Sequence, residues 1–250
     1  VERQPPLPPP APPASGRFAT TRWSVVLTAA DPTLPASADA LAELCRTYWY
    51  PIYAFVRRQG NAHESAQDLT QEFFARMLEK RYIDDVGPEK GRFRTFLLVC
   101  LKRFLANEWD KTRAQKRGGG KAHLSIDFQD ADGRYSLEPG HDVTAQKIFE
   151  RRWALTVLER TLAGVAQEFA ESGRGGLFDA LKVYLVGDVS APPYAQTGNR
   201  LGMTEGAVKV AVHRLRERYR AALRREIAAT VEREDDVDRE IAELFAALGS

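Results

Sequence analysis

The chain is poor in the residues that would tie it down covalently or place it in a bilayer. Of 250 residues only Cys45 and Cys100 are cysteine, and only four are histidine. Two cysteines make no disulfide framework and no metal quartet, and each sits at an apolar helical position where a buried thiol is expected. His63, His123, His141 and His213 have no metal-ligand spacing. No apolar run approaches the roughly 18 residues of a membrane helix. Residues 1–16 hold seven of the 14 prolines, without a charged and then apolar leader, so a disordered Pro-rich tail and a cytoplasmic protein are expected. No nucleophile–base pair is evident. Gly118-Gly119-Gly120-Lys121 fails as a phosphate loop, which needs Gly where Gln115 stands and Ser or Thr where Ala122 stands. These absences predict no enzyme, no metal and no cofactor.

Net charge is also nearly absent, at +2, but the average hides a sorting into blocks. Residues 90–121 carry ten basic and two acidic side chains, and residues 200–225 carry eight and two. Residues 226–250 reverse this with eight acidic and two basic. Two separated cationic segments suit phosphate contacts.

Periodicity predicts an all-α fold. A short helical run through Trp23, Val26 and Leu27 stops at Asp31-Pro32. A helix beginning near Ser37 carries Leu41, Leu44, Cys45 and Tyr48, with Pro51 expected to kink or restart it. A helix over about 62–80 has Ala66, Leu69, Phe73 and Met77 on one stripe. The helix over about 93–115 buries Phe96, Leu97, Cys100, Leu101, Phe104 and Leu105, and ends at the glycine run. Residues 118–143 read as a flexible linker in which Leu124, Ile126 and Phe128 alternate. A second helical domain starts near Thr144 and is broken at Ser172–Gly176. Its helices fall at about 177–186, 193–201 and 204–230, and an amphipathic segment over about 235–248 follows.

Within that second domain, Gly198, Gly202 and Val208 have helix-turn-helix spacing: a small contact residue, a turn and an apolar anchor. Thr204 is the expected N-cap. Val208, Ala211, Val212, Leu215 and Tyr219 form the buried stripe, leaving Thr204, Glu205, Lys209, His213, Arg214 and Arg216 as DNA-facing candidates. Thr197 and Gly198 fit this pattern poorly, since an apolar residue would pack better than Thr, and Gly costs about 1 kcal/mol in a helix.

The first domain carries Tyr48-Trp49-Tyr50-Pro51-Ile52-Tyr53, then Asp68-Leu69-Thr70-Gln71-Glu72-Phe73-Phe74, then Gly91-Arg92-Phe93-Arg94-Thr95-Phe96-Leu97 and a basic stretch ending at Lys116-Arg117. With the later helix-turn-helix, this order resembles a bacterial RNA polymerase sigma factor of the sigma-70 family, most closely the short extracytoplasmic-function type. The resemblance covers about residues 40–117 and 150–225. It implies sigma domain 2 over 17–117 with an N-terminal helix, the linker over 118–143, sigma domain 4 over 144–230 and an acidic C-terminal helix over 231–250.

The resemblance also implies roles. Asp68, Gln71, Glu72 and Arg76 match the helix that docks on the clamp of the polymerase large subunit. Phe93, Arg94, Lys102, Arg103, Asn107, Trp109, Lys111, Arg113 and Arg117 fall where the family opens and reads the minus-ten element. Stacking aromatics in a cationic groove are what capture of unstacked bases requires. Thr204, Glu205, Lys209, His213, Arg214 and Arg216 fall where it reads the minus-35 element. The implied partners are core polymerase and promoter DNA, with room for an anti-sigma factor or other regulator, and no membrane insertion. A stand-alone helix-turn-helix regulator is the alternative. The acidic segment either packs as an ordinary amphipathic helix or folds back over a basic DNA surface.

Overall fold

The structure is a computed structural model. It describes residues 33–79, 92–114, 131–136, 143–185, 191–228 and 234–249, with 26, 28, 29, 31 and 231 besides. The Pro-rich tail, Trp23, the loop over 82–91, Arg117 and the Leu124, Ile126 and Phe128 alternation lie outside the described residues. Of Lys111 and Arg113 only the helical backbone is described.

Among the described residues the fold is all-α, as expected, without strands. The helices are α1 (Ser37–Arg58), α2 (His63–Glu79), α3 (Phe93–Ala114), α4 (Ala131–Ser136), α5 (Ala145–Glu171), α6 (Gly175–Leu181), α7 (Tyr194–Leu201), α8 (Glu205–Ala228) and α9 (Asp236–Leu248). None is long and apolar enough to cross a membrane.

Pro51 does not restart α1, which runs unbroken from Ser37 to Arg58. Its apolar Tyr50–Val56 stretch is wholly buried, so packing on every side outweighs the one backbone hydrogen bond that proline omits. Ala66, Phe73 and Met77 of the predicted α2 stripe are buried, and Phe74 joins them. Val26 and Ala29, from the expected N-terminal run, enter the same core. Cys45 is buried too, and burial pushes its thiol up to about 12. It is therefore expected to resist Ellman's reagent at pH 8 in the folded protein and to react only on unfolding; prompt labelling of both cysteines in native protein would contradict this placement.

Two expectations about the middle of the chain change. Residues 131–136, placed in the linker, form α4 and dock on α1. Ala131 is buried, Arg57 meets Asp132 at 2.7 Å, and Arg134 lies 3.9 Å from the Tyr50 ring centre. Nor does the core divide at the linker. Thr144 caps α5 by accepting the Lys147 N–H at 3.3 Å. The first turns of α5 then bury Ile148, Phe149, Trp153, Ala154 and Val157 in the core built by α1–α3. Further along, Val165 and Phe169 enter a second core with Phe178, Leu181, Tyr184, Val208, Val212 and Leu215. Arg160, between these groups, hydrogen-bonds Glu43 and the Thr47 hydroxyl of α1.

Candidate nucleic-acid interface

The corner between α7 and α8 explains the two residues that fit the sequence pattern poorly. A Cβ on Gly198 would stand 2.6 Å from the Met203 carbonyl oxygen, so only glycine allows this approach. Gly202 takes the left-handed conformation at φ +66 and ends α7, and the Met203 N–H donates to the Gly198 carbonyl at 2.9 Å. Thr197 is buried but satisfied, sharing a 2.7 Å hydrogen bond with the Tyr184 hydroxyl, which also donates to the Pro192 carbonyl. Thr204 caps α8 by accepting the Ala207 N–H at 3.2 Å.

Along α8, Val208, Val212 and Leu215 are buried while Ala211 and Tyr219 are half-buried. Thr204, Glu205, Lys209, His213 and Arg214 are all exposed. Glu205 and Lys209 pair at 2.7 Å, and this hydrogen bond holds the Lys209 ammonium above its usual range. Arg216 departs from expectation. It is half-buried and donates to the Tyr184 carbonyl from Nε at 3.2 Å and Nη2 at 2.8 Å, fastening α8 to the turn after α6. Val210, which the helix-turn-helix spacing does not single out, is 51% exposed. Its signal was its position off the buried stripe, between Lys209 and His213.

On α3, Lys102, Arg103 and Asn107 are exposed, and Trp109 is 46% exposed. Lys102 donates to Gln146 Oε1 at 3.0 Å. Phe93 and Arg94 do not join this surface. Phe93 is 3% exposed and packs edge-on against Tyr48 at 5.6 Å. As the first residue of α3, it points into the core rather than toward solvent bases. Arg94 is 8% exposed, lies 4.3 Å from the Trp153 ring centre, and pairs with α9.

That pairing is a four-residue cage. Arg92 reaches Glu240 at 2.9 Å and Glu243 at 2.9 Å, while Arg94 reaches Glu240 at 3.0 Å and Glu243 at 2.8 Å. Hydrogen bonding by Arg92 holds Glu243 below the usual carboxylate range. Burial pushes Glu240 up, against the pull of Arg94 and Arg92.

The α2 face is mixed. Asp68 is exposed and Gln71 half-buried. Glu72 and Arg76 pair with each other, and Arg76 also meets Glu108 of α3 at 2.6 Å and lies 5.2 Å from the Phe104 ring centre. Arg76, expected to await a partner helix, thus ties α2 to α3. No cluster that could hold a metal occurs among the described residues.

Residues 44–115, spanning most of α1, all of α2 and α3, match the family model described as Sigma-70 region 2. The matched segment is under a third of the chain and holds the Asp68–Phe74 and Arg92–Leu97 motifs. It supports a sigma-factor role in RNA polymerase binding and promoter melting. No curated protein and no solved structure compared with the chain gives a match.

Proposed function

We propose that the chain is a sigma factor of the sigma-70 family and extracytoplasmic-function type, a non-enzymatic subunit that directs core RNA polymerase to promoters. The observation that carries this is the region 2 match on α1–α3, in one chain with the α7–α8 corner. In this reading residues 17–117 act as sigma domain 2 and 144–230 as sigma domain 4. Asp68 and Gln71 are the accessible part of the polymerase-docking face, and the Glu72–Arg76 pair orients it. Lys102, Arg103, Asn107 and Trp109, with Lys111 and Arg113 further along α3 and Arg117 beyond it, track minus-ten DNA. An exposed indole supplies a stacking surface and the cations meet phosphates. Thr204, Glu205, Lys209, His213, Arg214 and the Val210 side chain present polar and apolar groups to a major groove for the minus-35 element. A stand-alone helix-turn-helix regulator accounts for α7–α8 but leaves the region 2 match without a purpose.

Run-off transcription with purified core polymerase tests the reading. Promoter-dependent initiation is expected, and its consistent absence over a panel of promoters overturns the reading. Asp68→Ala with Gln71→Ala should weaken core affinity about tenfold, or about 1.4 kcal/mol, with helicity unchanged. Unaltered core affinity would remove the docking assignment.

A further inference from the structure

The acidic helix α9 does more than close the core. Its Val237, Leu244 and Ala247 are buried, as an amphipathic packing helix requires. Packing alone does not call for Glu240, whose residue is 1% exposed. A carboxylate gives up its hydration on burial, and a buried ion pair about breaks even against apolar side chains of similar volume. A helix selected only for cohesion has no use for it.

The choice of partners is informative. Glu240 and Glu243 hold Arg92 and Arg94, the cations that begin the basic helix α3. Two residues before Glu240, Asp238 holds Arg224, in the last turns of the basic helix α8. One acidic helix thus pairs with arginines from both cationic blocks, including one guanidinium that is almost wholly withdrawn from water. Arginine forks donate to carboxylate and phosphate oxygens with the same bidentate geometry, so a nucleic-acid backbone is a direct competitor for the cage.

We propose that α9 is an intramolecular latch that masks Arg92 and Arg94 from DNA, and that a single-stranded DNA backbone displaces it. This rests on the sigma-factor reading and adds regulation to it. In the latched state the first exposed cation that α3 offers DNA is Lys102. Release of α9 returns Glu240 and Glu243 to water and adds two arginines at the start of α3.

The test uses the full chain and a fluorescent oligo-dT single strand, titrated over a range of salt. Glu240→Gln with Glu243→Gln removes the cage. Glu171→Gln with Asp179→Asn removes the same charge at two exposed positions outside α9 and both basic helices and is the control. The cage variant should bind about tenfold more tightly than the control at low salt. Its plot of log K against log salt should run close to parallel with the control's, since DNA that has displaced α9 meets the same phosphate contacts in both proteins. In wild-type protein, saturating oligo-dT should raise amide hydrogen exchange across residues 236–248. Equal affinities for cage variant and control overturn the latch, and so does exchange in α9 that DNA leaves unchanged. If circular dichroism finds the cage variant unfolded, the wild-type exchange result alone decides. Run-off transcription by wild-type protein is read in parallel. Loss of initiation there counts against the sigma-factor reading, whereas intact initiation with no gain in the cage variant counts against the latch alone.

Discussion

Gly198→Ala should destabilise the chain by about 2 kcal/mol, although alanine is the better helix former by about 1 kcal/mol. The added methyl would meet the Met203 carbonyl oxygen at 2.6 Å. That oxygen belongs to the backbone of the turn, so relief requires α7 and α8 to part. The same substitution at Gly164, in the middle of α5, meets nothing within 4 Å. There the helix-propensity gain is unopposed, and Gly164→Ala should stabilise by up to about 1 kcal/mol. Thermal unfolding reads both: a fall of about 4–8 °C for Gly198→Ala and a small rise for Gly164→Ala, at the 2–4 °C per kcal/mol typical of this size. A neutral Gly198→Ala would show that the close approach in the α7–α8 corner does not exist in solution.

Arg94→Ala is the second large effect. It strips Glu240 of one of its two arginines inside the cage and leaves the Trp153 face bare. Breaking a buried pair from one side costs about 3–5 kcal/mol, because the remaining charge stays out of water. Arg92 still serves Glu240, so about 3 kcal/mol is expected. Arg94→Lys keeps the charge but loses the fork and the stacking, and should fall between. Urea denaturation measures the series; equal stability of all three proteins would mean that the cage contributes nothing to the fold.

Those two sites show what a sequence reveals and what it conceals. The helices at 37, 63, 93 and 205 were legible because each has an apolar stripe at its own period, and Val208, Val212 and Leu215 occupy the core positions that stripe implies. The turn was legible through Gly202 and Thr204, whose backbone duties are local. Thr197 looked like a flaw because its hydrogen-bond partner, Tyr184, lies on another element. Arg94 looked solvent-facing because the carboxylates that bury it stand 146 and 149 residues away. Arg76 and Arg216 likewise have partners on other elements, Glu108 and the Tyr184 carbonyl. Periodicity says which face of a helix is polar, but not whether that face meets water or a partner arriving from far along the chain. Phe93 was a different case, since the first residue of a helix has no preceding turn to declare its face. Residues 131–136 escaped because six residues are too few to display a period.

At 27 residues α5 is about 40 Å long, from 1.5 Å of rise per residue. Its first turns complete one core and its last turns complete the other, with no break between. Neither core can melt without stripping that helix of part of its apolar contacts, and short helices without tertiary support are not stable in water. The basic surfaces of α3 and α8 therefore belong to one cooperative folding unit in this state. Damage at either surface is felt as lost stability at both.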